Sequence, residues 1–281
     1  MPTLEEIREQ QRASWNKFAP GWKKWDEFTM AFLQPVGEAI LREAALRPGL
    51  RVLDAACGTG EPGLSAARIV GEGGSVEGTD LSEEMVQVAR EKAKKFRLAN
   101  YKATTADAGA LPFEDGSFDA VLCRMGIMFV PDPARTAREF YRVLKPGGRL
   151  ALCAWAEPAK NPWATTIADI VNSTLGVPPP PPGSPGLFRQ SQPGTLKALL
   201  GSAGFSKTRE IEVSGTQDYE SPLEYWTMFT EVAAPIAGPL AKADPAQQKG
   251  IQEKVLQAAA AFLKDGRPTF PWSAWVASGT K

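Results

Sequence analysis

Val52-Leu53-Asp54-Ala55-Ala56-Cys57-Gly58-Thr59-Gly60-Glu61-Pro62-Gly63 is an apolar strand carrying an acid near its end, followed by a glycine-rich turn that opens a helix. Glycine lacks a Cβ, so Gly58 and Gly60 allow backbone angles closed to other residues. They also bring N–H groups against a ligand at the start of the helix. This is the geometry of a nucleotide-like cofactor site. The spacing of Gly58, Gly60 and Gly63 equally satisfies the dinucleotide pattern Gly-x-Gly-x-x-Gly, so the glycines alone do not select the ligand. Asp54, four residues before Gly58, and the sequence downstream must select it.

Outward from this turn, short apolar runs alternate with helical patterns from Leu50 to about Trp155, which predicts βαβ units and a parallel sheet. The predicted strands cover 51–56, 74–79, 101–106, 117–123 and 148–155. Ser82 caps a helix with Glu83 and Glu84 in its first turn; Pro133 starts another, which Lys145-Pro146-Gly147-Gly148 ends. Right-handed crossovers place the strand C-termini on one edge, where ligands of such folds bind.

Residues 3–46 read as helices with Trp15, Phe18, Trp22, Trp25, Phe28 and Phe32 three or four apart, an apolar stripe that must cover something. A helix is predicted near 161–174, then a stiff or disordered connector at Pro178–Pro182. Pro193 opens a helix ended by Gly201 and Gly204. Strands over 207–217 and 269–278 bracket an insertion, 222–264, with two helical stretches. The expected architecture is α/β: a Rossmann-like, doubly wound, mostly parallel seven-stranded sheet. An N-terminal helical cover takes residues 1–46 and the main domain 47–281, with a helical cap inserted at about 219–266 between the last two strands.

The 281 residues, 43% of them apolar, suffice for a sizeable core. Basic and acidic residues balance at 32 each with no long like-charged run, which disfavours a nucleic-acid partner. No window of 18 apolar residues and no leader-like segment occurs, so a cytoplasmic protein without membrane insertion is expected, its oligomeric state open. Cys57, Cys123 and Cys153 form no Cys-x-x-Cys pair and sit in or beside apolar runs, which reads as reduced, buried thiols. The chain has no histidine, the commonest metal ligand and general base, and no metal site is expected.

Asp80 ends the second predicted strand twenty residues after Gly60, where a carboxylate can accept from both hydroxyls of a ribose; NAD and S-adenosylmethionine fit equally. Three further motifs follow: Ala106-Asp107-Ala108-Gly109-Ala110-Leu111-Pro112-Phe113, Phe118-Asp119-Ala120-Val121-Leu122-Cys123-Arg124, and Leu144-Lys145-Pro146-Gly147-Gly148. With Asp54, in this order, they closely resemble the class I S-adenosylmethionine-dependent methyltransferases, in particular the ubiquinone/menaquinone-biosynthesis-like branch. The resemblance runs from about Leu50 to Trp155 and continues by layout only.

The resemblance implies that Ala56, Gly58, Thr59 and Gly60 offer a backbone loop to the methionine part of S-adenosylmethionine. Asp54 would hold that loop and reach the ammonium, directly or through water. Asp80 would take the ribose hydroxyls, Leu81 and Met85 would pack on the adenine, Asp107 would accept from its amino group and the Ala108 N–H would donate to a ring nitrogen. The Arg124 carbonyl would meet the ammonium, with Met125 beside it. Trp22 stands where the family often has a tyrosine near the cofactor, and an indole donates but does not accept. Arg124-Met125-Gly126-Ile127 replaces the Asp/Asn-Pro-Pro-aromatic sequence of nucleobase and glutamine methylators.

The implied activity is methyl transfer to a small, apolar or aromatic molecule by in-line displacement, leaving S-adenosyl-L-homocysteine. Alignment of reactants can supply roughly 7–11 kcal/mol without a protein base, so the absence of histidine is compatible with it. No catalytic side chain is assigned; Tyr225, Asp218 and Glu224 are candidate assistants. All eight tryptophans lie outside residues 26–154. The N-terminal helices and the insertion are therefore expected to form an aromatic chamber, with Met128, Phe129, Trp155 and Trp226 toward the substrate. The alternatives are an NAD-dependent oxidoreductase and a catalytically silent S-adenosylmethionine-binding partner protein.

Overall fold

The computed structural model describes residues 3–281. Its centre is strand β1 (Arg51–Ala55), in which Val52, Leu53, Asp54 and Ala55 are all withdrawn from water, as befits a strand covered by helices on both faces. It pairs in parallel with β2 (Ser75–Asp80) and β4 (Phe118–Cys123). β3 (Tyr101–Thr105) lies beyond β2, and β5 (Leu144–Trp155) beyond β4. β8 (Arg267–Thr280) adds antiparallel to β5, and β6 (Ser206–Asp218) closes that edge, giving the order β3-β2-β1-β4-β5-β8-β6. The seven expected strands are present. An eighth, β7 (Leu263–Lys264), pairs only with β8 and is too short to leave a periodic signal. The order reverses between β1 and β4, which opens a crevice above their C-terminal ends.

Local chemistry sets the helices. In α4 (Glu83–Lys95), Ser82 accepts from the Met85 N–H, with two acids in the first turn and three lysines in the last, matching the helix dipole. In α5 (Pro133–Val143), Asp132 caps and Pro133 leads. Lys145-Pro146-Gly147-Gly148 ends α5 as expected but is absorbed into β5, four residues before the predicted strand start, because the Gly147 N–H and Gly148 carbonyl bond to Lys281 at the end of β8. α3 (Gly63–Val70) packs on β1 and β2. α6 (Pro162–Leu175) follows β5, and Pro178–Pro182 is exposed, without regular structure.

Two helix boundaries depart from expectation. α7 (Thr195–Ser202) begins after Gly194, whose φ of +82° supplies the turn, and it contains Gly201; Gly204, at φ +101°, follows its end. The insertion holds three helices rather than two: α8 (Pro222–Val232), α9 (Ala234–Leu240) and α10 (Pro245–Ala260). Ala233 is extended and Pro235 has no N–H to continue α8, so one apolar periodicity is cut in two.

The N-terminal residues form α1 (Leu4–Lys24), opened by a Thr3–Glu6 capping box, and α2 (Asp26–Glu43). Val36, Ala39 and Ile40 of α2 are fully buried, and this helix packs on β5, β6 and β8. α1 instead crosses α4 and α8, so it spans the crevice from the β2 side to the inserted cap.

Candidate active site

The glycine-rich turn is held from behind. Cys57 N–H donates to the Thr79 carbonyl at 2.9 Å and Gly60 N–H to the Cys57 carbonyl at 2.8 Å. Ala56, Gly58 and Gly60 all take positive φ, +54°, +52° and +110°. A left-handed alanine costs roughly 1–2 kcal/mol, strain of the kind concentrated at functional sites. A Cβ on Gly58 would meet nothing within 4 Å, so its backbone lies open to a ligand. Gly60 differs from expectation: a Cβ there would stand 2.8 Å from Leu64 Cδ1, and Gly60 does not border the cavity. Its small size serves packing against α3.

Asp54 is wholly buried and lies outside the cavity wall. One carboxylate oxygen, Oδ2, accepts from the Gly63 N–H at 2.9 Å, tying β1 to the start of α3, while Oδ1 has no partner among the described residues. Burial pushes its carboxyl up to about 8, against the pull of the Arg124 charge. The loop-holding part of its expected role matches this placement; direct contact with a ligand ammonium does not, because the side chain points into the protein behind the turn.

Asp80 does border the cavity. Oδ2 accepts from the Gly58 N–H at 2.8 Å and Oδ1 from the Ser82 N–H at 2.9 Å, so this carboxylate fixes the turn and the start of α4 together, and each oxygen keeps a further lone pair. Burial raises its pKa against these bonds. Leu81, Met85, Asp107 and Ala108 line the adjoining wall. Asp107 Oδ1 accepts from the Gly109 N–H at 2.8 Å, and Oδ2 accepts from Arg8 Nη1 at 3.1 Å, a partner on α1 that local sequence did not indicate.

From the β4 side come Arg124, Met125 and Gly126. Met125 has φ +55°, and a Cβ on Gly126 would stand 2.5 Å from the Ala56 Cβ, so glycine is what lets the β1 and β4 loops close on each other. The Arg124 side chain reaches under α2, where Nη2 donates to Met30 Sδ at 3.0 Å.

The roof is aromatic. Trp15 meets Phe129 edge-on at 5.2 Å and lies 6.1 Å from Trp22, and all three border the cavity with Gln11. The Trp22 indole N–H donates to the Val232 carbonyl at 3.2 Å, which ties the roof to the cap. The cavity volume is about 150 Å³, and the cavity opens to solvent. Met30, Leu33, Thr59 and Glu61 also border the cavity. Gln11, Met30 and Leu33 carried no motif, Glu61 lay within the glycine-rich turn without an assigned role, and Trp15 was visible only as part of the helical aromatic stripe.

Three expected substrate residues lie elsewhere. Met128 is fully buried in the core. Trp155 stacks on Phe32 at 5.6 Å and approaches Trp163 at 4.7 Å, within an aromatic core that also takes Trp272. Trp226 packs against that core from the cap and does not reach the cavity. The candidate assistants are also absent from its walls: the Tyr225 hydroxyl donates to the Trp163 carbonyl at 2.8 Å, Glu224 accepts from the Glu220 N–H at 2.6 Å, and Asp218 is exposed on β6. Tryptophan is favoured in a hydrophobic core as well as in a ligand wall, and its position in the sequence does not separate the two uses.

Residues 46–173 match the model of the methyltransferase domain family. The demethylmenaquinone methyltransferase of Listeria welshimeri is 39% identical over 140 residues, 50% of this chain and 55% of the relative. That of Staphylococcus aureus is 39% identical over 119 residues, covering 42% and 48%. The chain thus spans about half the length of these curated relatives. A solved S-adenosylmethionine-dependent methyltransferase from Aquifex aeolicus is 27% identical, with a TM-score of 0.50, over 63% of this chain and 83% of its own. The YcgJ protein of Bacillus subtilis, 22% identical with a TM-score of 0.58 over 88% and 98%, shares the fold.

Proposed function

We propose that this chain, whose residues 46–173 match the model of the methyltransferase domain family, transfers a methyl group from S-adenosylmethionine to a small, apolar or aromatic organic molecule. The observation that carries this reading is the convergence of Asp80, Asp107, Ala108 and the left-handed Ala56–Gly58 turn on one cavity with an aromatic roof. The free lone pairs of Asp80 suit two ribose hydroxyls, and Asp107 with the Ala108 N–H suits the donor and acceptor on the edge of an adenine. The open Gly58 backbone suits the chain beyond the ribose. The NAD alternative accounts for the glycines and Asp80 but leaves the Asp107–Ala108 pair without a purpose.

When bound, S-adenosylmethionine supplies a methyl group already activated by its sulfonium. The protein's share is then to orient and to exclude water. Asp80 fixes the turn to the start of α4, Met125 and Gly126 set the β4 wall against Ala56, and Trp15 with Phe129 covers the space above. With no histidine in the chain, the acceptor brings its own nucleophile: an acidic oxygen, an enolizable carbon or an amine. The aromatic roof, and the similarity over 140 residues to enzymes named for demethylmenaquinone, support an apolar, aromatic acceptor.

Isothermal titration tests this reading. S-adenosylhomocysteine should bind and NADH should not; NADH binding without a response to S-adenosylhomocysteine sinks it. Asp80→Ala should weaken S-adenosylhomocysteine by about 1.5–3 kcal/mol, since charge-assisted hydrogen bonds are lost. Unchanged affinity in the folded variant removes Asp80 from the site.

A further inference from the structure

A neutral composition hides one strongly basic region. From Arg90 to Lys102, across the end of α4 and the start of β3, the chain carries six cations and one acid. Arg90 pairs with Glu83 and Lys92 with Asp26, and the acid, Glu91, is taken by Lys23. Lys94, Lys95, Arg97 and Lys102 are exposed and enter no ion pair among the described residues. Arg90, Lys94, Arg97 and Lys102 line one open groove that no acid borders. Arg97 stands there at a cost. It has φ +57°, at the position after α4 where the Leu98 N–H returns to the Ala93 carbonyl at 3.0 Å and the Arg97 N–H to the Lys94 carbonyl at 3.1 Å. Glycine suits that left-handed site, so an arginine adds charge to the groove at the expense of the helix end.

Apolar side chains stand among these charges. Phe96 is 43% exposed, with the Arg68 guanidinium 5.0 Å and the Lys95 ammonium 5.9 Å from its ring, and Ile69, next to Arg68, is 39% exposed. Cations interleaved with exposed apolar groups complement a bilayer surface, where phosphates meet lysine and arginine and a ring sits at headgroup level. Other occupants fit less well. A second copy of this face repels by like charge. An acidic strand added to β3, the free edge of the sheet, meets Arg90, whose Nε already holds the Ala103 carbonyl at 2.9 Å. A nucleic-acid backbone gives Ile69 no partner. We infer that the end of α4 and the start of β3 dock this protein peripherally on an anionic lipid surface. α4 has 13 residues and is therefore about 20 Å long, and Met85 in its first turn borders the cavity. The docking end lies at the other end of that helix, so it acts apart from the cofactor site.

Co-sedimentation with vesicles tests it. At low salt the unmodified protein should bind phosphatidylcholine vesicles containing one quarter phosphatidylglycerol at least about tenfold more tightly than pure phosphatidylcholine, and about 0.5 M salt should remove the preference. The triple charge reversal Lys94→Glu, Arg97→Glu and Lys102→Glu should abolish it, while Lys249→Glu, an exposed lysine on α10, should leave it intact. Arg97→Gly gives a reading that does not depend on the fold tolerating three reversals. It should raise the thermal midpoint, because glycine suits the left-handed site, and yet weaken vesicle binding about twofold or more. A purely structural arginine cannot give that split. Equal binding to both vesicle compositions, a preference that survives salt, unchanged binding by Arg97→Gly or the triple variant, or an equal loss in Lys249→Glu overturns the assignment. So does tighter binding of an RNA oligonucleotide than of the anionic vesicles. The methyl-donor reading stands or falls separately, on calorimetry with S-adenosylhomocysteine.

Discussion

Gly21 in α1 lies against the main chain of Glu231 in α8, so close that a Cβ on Gly21 would stand 2.1 Å from the Glu231 carbonyl oxygen. This contact, with Trp22 donating to Val232 and Trp25 Nε1 to Glu231 Oε2 at 2.6 Å, fastens the N-terminal roof to the inserted cap. Gly21→Ala should therefore cost about 1–3 kcal/mol, because backbone must move to admit the methyl. Gly238→Ala in α9, where nothing lies within 4 Å of the added Cβ, is the control and should be neutral or slightly stabilising. Thermal unfolding of both decides; equal midpoints would show that the two helices adjust freely.

Asp54 imposes a pH dependence on stability. Its folded pKa is raised to about 8, above the ordinary value of 3.8, so the folded state retains a proton that the unfolded chain releases. No cost arises below the unfolded pKa. Between about pH 4 and pH 8 stability falls by up to about 1.4 kcal/mol per unit, and above pH 8 the loss levels off. Asp54→Asn keeps an acceptor for the Gly63 N–H without the titration. Its midpoint relative to the unmodified protein should therefore rise steadily from pH 5 to pH 8; a constant difference would show that Asp54 does not titrate in this range.

Trp226→Ala should lower stability by about 1–3 kcal/mol, as expected for a half-buried aromatic in the cap, and leave S-adenosylhomocysteine affinity unchanged. Phe129→Ala removes part of the cavity roof and should alter the acceptor Michaelis constant instead. Denaturant titration beside steady-state kinetics separates the two, and a Michaelis constant that moves for Trp226→Ala would return that residue to the substrate wall.

Arg8 and Asp107 form a pair whose side chains are 27% and 22% exposed, so their bond contributes at most about 1 kcal/mol. Arg8→Ala should leave stability within that range. It frees Asp107 Oδ2 for an adenine amino group, so S-adenosylhomocysteine affinity should hold or rise. Calorimetry showing a loss beyond threefold would mean that Arg8 itself holds the ligand.

The sheet was legible because its signals are local. Buried apolar runs with turns at fixed intervals mark strands, and Ser82, Asp132 and Pro133 satisfy helix ends within one turn of themselves. The insertion was harder: Leu223 to Ile236 carries one continuous periodicity, and the break at Ala233 depends on Pro235 rather than on the pattern. Among the site residues, Asp80, Asp107, Ala108 and Met125 border the cavity where the motifs predicted. Asp54 and Gly60 proved to support the turn from behind, and Trp155 and Trp226 went to the core.

By itself, the amino-acid sequence determined the strand order's local units, the glycine turn and the acids that follow each strand, since backbone conformation and hydrogen-bond reach extend only a few residues. What covers the crevice was decided by tertiary structure. The Gly21–Glu231 approach, the Arg8–Asp107 pair and the placing of Arg124 beneath Met30 join residues 210, 99 and 94 positions apart. Such contacts follow from which apolar surfaces pack together once the whole chain has folded, and no short stretch of sequence records them.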